Sequence, residues 1–229
     1  MTREPVVTID GPAGAGKGTV ARRLAERLGY RLLDTGAMYR AIAWSVARAG
    51  LAAEDGEALR AHLAGITIDV RGDRVLVDGR DVSDEIRTPE IAALTSQLST
   101  LAVVRDAVTP LQRAIAAGGG VVLEGRDTGT VVCPDAEVKF FLDAALDERA
   151  RRRQAEFRAR GTEVEFEAAR REIEARDRQD STRALAPLRK AEDAVVVDTT
   201  AMSVEEVVDR MQAVVERRRG RCRQPARRP

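Results

Sequence analysis

The chain has 229 residues, 44% of them hydrophobic but only 3% aromatic, and a formal net charge of +1. That is enough for one sizeable core of about 150 to 200 residues, built from Leu, Val, Ile and Ala in the manner of parallel strands covered by helices. No apolar run approaches the ~18 residues of a membrane span and no signal sequence is recognisable, so a soluble, cytoplasmic protein without a membrane partner is expected.

One histidine, His62, and two cysteines, Cys133 and Cys222, show no zinc or C-x-x-C spacing, so a histidine-based metal or nucleophile site is not expected. The chemistry falls to arginine, lysine and carboxylates. Among the 38 basic residues only Lys17, Lys139 and Lys190 are lysine.

In chain order, Val6-Val7-Thr8-Ile9 reads as a strand that enters Gly11-Pro12-Ala13-Gly14-Ala15-Gly16-Lys17-Gly18-Thr19. Gly11, Gly16 and Lys17 fit the G-x-x-x-x-G-K core of a phosphate-binding loop in the strand-loop-helix setting that the motif requires. Glycines let the backbone curl around an anion, so that successive N–H groups and a helix N-terminus face phosphate oxygens. Lys17 then reaches the β- and γ-phosphates of a nucleoside triphosphate held with Mg²⁺. The usual Ser or Thr after the lysine is replaced by Gly18, with Thr19 one place further on.

Val20, Leu24 and Leu28 recur at helical spacing, which predicts a helix over 17–28 ended by Gly29. A short strand over 30–33 leads to Asp34-Thr35-Gly36, where Asp34 can cap a second helix. That helix carries Met38, Tyr39, Arg40 and Trp44 to about Ala49. From 66 to 82 the period changes to two, the signature of a hairpin. Helix resumes at Thr88-Pro89-Glu90, with proline at the first helical position. It carries Ser96, and the next helix carries Arg105.

After Gly118-Gly119-Gly120, the strand Val121-Val122-Leu123-Glu124 ends in a carboxylate and runs directly into Gly125-Arg126-Asp127-Thr128-Gly129-Thr130. Another strand spans 138–142. Two polar helical stretches, over 147–160 and from 164 to about 178, read as a mobile lid over the nucleotide, with a solvated helical hairpin as the plainer alternative. Asp180-Ser181-Thr182-Arg183 and Pro187 lead to a strand over 195–197, and Ser203 with Glu206 forms a capping box on the last helix. Residues 217–229 hold seven arginines and no acid; they read as a solvated, disordered terminus, or as a nucleic-acid-binding arm. Taken alone, Arg105 and Arg176 read as surface charges, and Trp44, His62 and Cys133 as packing residues.

Strands alternating with helices around such a loop imply an α/β fold, a P-loop doubly wound parallel sheet with helices on both faces and the site at the strands' carboxyl ends. A P-loop alone does not name the second substrate. An alcohol acceptor calls for a base, whereas a phosphate with a second pKa near ~6 is already ionised at neutral pH. Two polyanions that must meet need cations instead, and the chain offers Lys17, Arg40, Arg126 and the lid arginines Arg149, Arg152 and Arg153. A nucleotide phosphate acceptor fits that supply best.

The Gly16-Lys17-Gly18-Thr19 variant resembles the P-loop of nucleoside monophosphate kinases, and Thr35-Gly36-Ala37-Met38-Tyr39-Arg40 resembles their phosphate-acceptor helix. Where adenylate-kinase-like members carry Asp-Gly-Phe-Pro-Arg, this chain has Glu124-Gly125-Arg126-Asp127-Thr128-Gly129-Thr130-Val131-Val132. That run, with Leu32-Leu33-Asp34-Thr35-Gly36, Ser96-Gln97, the stretch from Arg176 to Arg183 and Ala186-Pro187-Leu188, resembles the bacterial cytidylate kinases along almost the whole chain.

The resemblance implies ATP-dependent phosphorylation of CMP and dCMP to CDP and dCDP with Mg²⁺, by a monomer whose partners are these nucleotides and not nucleic acid. Gly11, Pro12, Ala13, Gly14, Ala15, Gly16, Lys17, Gly18 and Thr19 hold the ATP phosphates; Lys17, Arg40 and Arg126 are catalytic, the two arginines gripping the CMP phosphate. Thr35, Arg105, Asp127 and Arg183 read the cytosine, and Ser96, Arg176 and Asp180 meet either ribose or deoxyribose. Two departures stand out. Thr35 replaces a common serine but keeps the hydroxyl, and Glu124 replaces a common aspartate at a place that can face the Mg²⁺ shell through water; no residue is assigned as a direct metal ligand.

The implied division is one P-loop kinase domain over 1–216, with its core at about 1–60, 103–148 and 184–216. A β-containing monophosphate-binding insert spans about 61–102, a lid about 149–183, and the tail 217–229. Two other readings remain: a P-loop kinase of a small hydroxylated metabolite with Asp34 as base, and a nucleotide-binding regulator or nucleic-acid-stimulated ATPase that uses the basic tail.

Overall fold

A computed structural model describes residues 3–72, 74–159 and 161–223. In chain order the elements are β1 (Val6–Asp10), α1 (Lys17–Leu28), β2 (Arg31–Asp34), α2 (Thr35–Arg48), α3 (Glu57–Gly65), β3 (Ile68–Arg71), β4 (Arg74–Val77), β5 (Arg80–Asp81), α4 (Pro89–Leu98), α5 (Ala102–Ala116), β6 (Val121–Glu124), β7 (Val138–Asp143), α6 (Leu146–Ala159), α7 (Phe166–Thr182), β8 (Val195–Asp198) and α8 (Val204–Arg223). A 3-10 turn (Glu85–Arg87) precedes α4, and a π-helical turn (Thr128–Val132) follows β6. Contacts divide the chain into two units, Leu33–Ala117 and the remainder on either side of it.

The first unit is organised by a sheet of strand order β2-β6-β1-β7-β8, in which β1 pairs parallel with β6 and β7, and β7 pairs parallel with β8. Every residue of β1 is buried. That suits a central parallel strand, whose two covered faces call for an unbroken apolar run rather than alternation. Val7, Ile9, Val122, Phe140 and Leu142 from the sheet pack with Val20, Ala21 and Leu24 of α1 and with Val207, Val208, Met211 and Val215 of α8. Removing a fully buried side chain such as Leu24 costs about 2–5 kcal/mol. Helix α1 stops at Gly29, whose φ of 67° lets it close the last turn through its N–H.

The register brings Ile9 opposite both Glu124 and Phe140. The phosphate-binding loop after β1 and the Glu124 carboxylate at the end of β6 therefore share the carboxyl edge of the sheet, where ligands bind in open α/β folds.

The second unit begins with α2. Asp34 Oδ1 accepts from Ala37 N at 2.8 Å, so the expected cap is formed. Ten of the helix's fourteen residues are buried, among them Met38, Ile42, Trp44 and Val46. The hairpin reading gains a strand: β3, β4 and β5 form an antiparallel three-stranded sheet, its last strand only two residues long. Thr88 caps α4 through its hydroxyl, with Pro89 in the first turn.

Two helices differ from their expected lengths. Helix α7 continues to Thr182, because Ala169 and Ile173 bury one face and Asp180 is itself buried. Helix α8, started by the expected Ser203–Glu206 box, runs on through Arg223. The first part of the arginine-rich segment is thus helical, and residues 224–229 of that segment lie outside the described residues. Among the described residues no helix is long and apolar enough to cross a membrane.

Candidate active site

The loop between β1 and α1 is shaped by its glycines. Gly11 has φ 150°, and a Cβ there would stand 2.0 Å from Leu142 O, so the loop passes too close to β7 for any side chain. Gly16 precedes α1 in the left-handed conformation and supplies no side-chain cap. The first N–H groups of α1 are left for another acceptor, and with the helix dipole they form an anion site.

Lys17 opens that helix, is 6% exposed and donates to Pro12 O at 2.7 Å. Burial lowers the pKa of its ammonium to about 7; positive Arg126 and Arg176 push the same way, while Glu124 and Asp180 oppose. A polyanion in the loop reverses that balance, because it restores a charge partner to the lysine.

Glu124 faces the same place. A Cβ on Gly18 would stand 4.0 Å from Glu124 Oε1, so a carboxylate lies across from the start of α1. Arg126, two residues on, donates through Nε to Asp180 Oδ2 at 2.7 Å. Burial works against the charge on Arg126, but Asp180 first, then Glu124 and Asp177, outweigh it and the guanidinium stays protonated. Arg183 lies 3.6 Å from Asp127 Oδ1 and 3.8 Å from Asp180 Oδ1, and its Nε donates to Ala186 O at 2.7 Å. Ala186 holds φ 48°, a conformation an alanine takes only under constraint, in the turn that returns the chain past Arg183.

Two groups hold this arrangement through Asp10 and Asp177, neither of which the sequence singled out. Asp10, the last residue of β1, accepts from Thr128 N and Oγ1 at 2.9 and 2.8 Å and from Gly129 N at 2.8 Å. Burial pushes its carboxyl up, and those hydrogen bonds pull it back. A Cβ on Gly129 would stand 2.8 Å from Thr8 Oγ1, which explains the glycine. A carboxylate closing an otherwise apolar strand was the available signal for Asp10. The second group is Arg149 with Asp177, whose ion pair meets the backbone of Ala13.

The expected lid arginines, which lie on α6, are paired within the first unit. Arg152 donates to Thr199 Oγ1 and O at 3.0 and 2.7 Å, while Arg153 donates to Glu172 and covers the Phe157 ring. Buried Lys17, Asp127 and Asp180 and half-buried Glu124, Arg126 and Arg183 thus form one charge network, with Arg176 close enough to act on Lys17.

In the second unit, Thr35 is buried at the first position of α2. Arg40 NH2 donates to Asp34 Oδ2 at 2.8 Å, while its buried Nε has no hydrogen-bond partner among the described residues. Arg105 departs from a surface reading: it is 7% exposed, donates to Ser99 O at 3.4 Å and stands 5.8 Å from the centre of the Tyr39 ring. Ser96 is half-buried on α4. Trp44 is buried, its Nε1 donating to Glu85 at 2.8 Å, and half-buried His62 has its Nε2 2.7 Å from Ser45 Oγ.

The family model described as cytidylate kinase matches residues 7–217. The chain belongs to the cytidylate kinase family. It is 51% identical over 226 residues to the cytidylate kinase of Syntrophotalea carbinolica, covering 97% of this chain and 96% of the relative. It is 52% identical over 217 residues to that of Geobacter sulfurreducens, covering 93% of each. A shikimate kinase from Bacteroides thetaiotaomicron superposes with a TM-score of 0.50 at 14% identity, covering 93% of this chain and 98% of that one, a likeness of fold alone. Within the cytidylate kinase family, this chain is a phosphotransferase, with ATP as the phosphoryl donor that membership implies.

Proposed function

We propose that the chain transfers the γ-phosphoryl group of ATP in line to the phosphate of CMP or dCMP, forming CDP or dCDP. The observation that carries this reading is the network of Lys17, Arg126 and Arg183 beside the uncapped start of α1. Cations there offset the repulsion between two polyanions and stabilise charge on the transferring group. The acceptor phosphate is ionised at neutral pH and needs no base.

In this reading the loop from Gly11 to Thr19 binds the ATP phosphates through those of its N–H groups that no protein acceptor engages, and Lys17 bridges donor and transferred group. Arg40 and Arg126 hold the acceptor phosphate. Thr35, Arg105, Asp127 and Arg183 read cytosine, whose amino group calls for an acceptor and whose O2 and N3 call for donors. Ser96, Arg176 and Asp180 meet the sugar. The residues fit a magnesium ion carried by the nucleotide: Glu124 lies across from Gly18, and one carboxylate with phosphate oxygens and water is a usual Mg²⁺ set. When present, the ion supplies neutralisation of phosphate charge.

A kinase of a small alcohol, with Asp34 as base, is disfavoured because both Asp34 oxygens are engaged, one by Ala37 N and one by Arg40. A panel of acceptors with ATP and Mg²⁺ tests the reading. CMP and dCMP should be phosphorylated in clear preference to UMP, AMP and shikimate, and chelation of the metal should stop transfer. Equal use of UMP would overturn the assignment of the base-reading residues, and nucleic-acid-stimulated hydrolysis without transfer would favour the ATPase reading.

A further inference from the structure

Helix α7 touches the donor loop and the acceptor arginine at successive turns. Asp177 Oδ1 accepts from Ala13 N at 3.1 Å, and its other oxygen pairs with Arg149 NH1. Arg149 completes a ring by donating from NH1 to Ala13 O at 3.0 Å, while its Nε is fixed by Ala144 O at 3.0 Å. Both polar backbone atoms of one P-loop residue are therefore filled by side chains of α6 and α7.

The neighbouring residue is clamped by packing. A Cβ on Gly14 would meet Arg149 O at 2.9 Å and Ile173 Cδ1 at 3.1 Å, so the two helices lie directly on the loop. One turn beyond Asp177, Asp180 accepts from Arg126 at 2.7 Å, and the chain then reaches Arg183. The Ala13 N–H, committed to a protein carboxylate, fixes the loop's shape rather than serving a phosphate.

We propose that Asp177, acting through Arg149 and Ala13, is a positioning residue that holds the P-loop in its phosphate-binding shape and couples it along α7 to Arg126. A ligand that settles the loop settles α7, and with it the Arg126–Asp180 pair that faces the acceptor. Occupancy by the triphosphate thus raises affinity for the monophosphate, and reciprocity makes the converse hold by the same factor. The inference rests on the two-nucleotide reading above.

The test uses the full chain and calorimetry with the non-hydrolysable ATP analogue that carries an imido group between the β- and γ-phosphates. Its Kd is measured first, and then the Kd of CMP with and without it. In the unaltered protein the analogue should tighten CMP about fivefold or more. Asp177→Ala should weaken the analogue about tenfold, remove the coupling and leave the Kd of CMP alone within about threefold. Asp177→Asn can still accept from Ala13 but cannot pair with Arg149, and should fall between.

If Asp177→Ala does not fold, Asp177→Asn and Arg149→Lys carry the test, each expected to weaken the analogue about threefold or more and to reduce the coupling in proportion. Analogue affinity and coupling within twofold of the unaltered protein in the folded variants would overturn the proposal. So would a parallel loss of both affinities with the thermal midpoint, the mark of a merely structural role. An unaltered protein that binds the analogue but not CMP overturns the acceptor reading instead. Asp177 is then judged by analogue affinity alone: a tenfold loss in Asp177→Ala supports its hold on the loop, and an unchanged value overturns it.

Discussion

In the unit built on the parallel sheet, the charges around Asp10, Arg126 and Asp180 are drawn inward and tied across long stretches of chain, apart from the exposed pairs of its outer helices, whereas in Leu33–Ala117 most ion pairs are local and lie at the surface. Arg126 meets Asp180 across 54 positions, with the side chains 18% and 11% exposed, and Asp10 meets Thr128 across 118. Arg60–Asp55, Arg74–Asp81 and Arg80–Glu85 join residues at most seven positions apart, and all six side chains are more than a third exposed. Arg40–Asp34 stands between, at 23% and 27%. The difference teaches where charge has a chemical task. Buried pairs are costly to assemble and to break, while exposed pairs contribute little beyond solubility.

The largest effect is expected at Lys17. Lys17→Met should lower turnover by about 10²–10³-fold, the scale of losing one positioned charge at a reacting centre. The protein should stay folded, because burial already disfavours this lysine's charge. Steady-state kinetics and a thermal melt check both halves.

Arg126→Ala and Arg40→Ala set the two units against each other. Both should sharply reduce kcat/KM for CMP. Only Arg126→Ala should also destabilise the fold, by about 3 kcal/mol, since Asp180 would lose its closest cation in a buried setting. Asp34 keeps Ala37 N as a partner when Arg40 is removed, so that variant should lose less than ~1 kcal/mol in urea unfolding.

The pH dependence of triphosphate binding sharpens the role of burial. With its pKa depressed from 10.5 to about 7, Lys17 in the free protein loses its proton as the pH rises past 7, while the unfolded chain keeps it. The free protein therefore gains stability between pH 7 and 10.5 from this group, because the unfolded state then binds more protons. Bound polyphosphate favours the ammonium, so binding above pH 7 should take up close to one proton and weaken by up to tenfold per pH unit. Calorimetry in buffers of different ionisation heat measures the uptake; its absence would count against the assigned environment.

Smaller effects are expected in the second unit. Gln112 is fully buried on α5, and neither amide atom has a hydrogen-bond partner among the described residues. Gln112→Leu should stabilise the protein by about 1 kcal/mol, because it removes polar atoms whose desolvation nothing repays. Arg74→Ala, at an exposed pair, should leave the unfolding midpoint unchanged.

Much of this was legible in residue order because the interactions concerned are local. The G-x-x-x-x-G-K spacing, the Asp34 and Thr88 caps, the Ser203–Glu206 box and the apolar strands β1, β6 and β7 each depend on neighbours a few positions away. Arg40 and Arg126 could be singled out because they stand in short runs beside recognisable strand and helix starts.

Other features depend on segments far apart in the chain. Arg105 looks like one surface arginine among many until α5 buries it against Tyr39. The length of α7 reflects packing of Ala169 and Ile173 rather than any stop signal in its polar sequence. The ties of Asp10 to Thr128 and Gly129, and of Asp177 to Ala13, span 118, 119 and 164 positions, which no spacing rule reads.

The sequence by itself determined the phosphate-binding loop, the α/β order of elements and the cation-rich chemistry, because glycine φ angles, caps and hydrophobic period are properties of short segments. Only the tertiary structure decided which charges are buried, which partners neutralise them and how α7 grips the loop. Burial and pairing are settled by the three-dimensional neighbours that a folded sheet brings together, and those neighbours are distant in sequence.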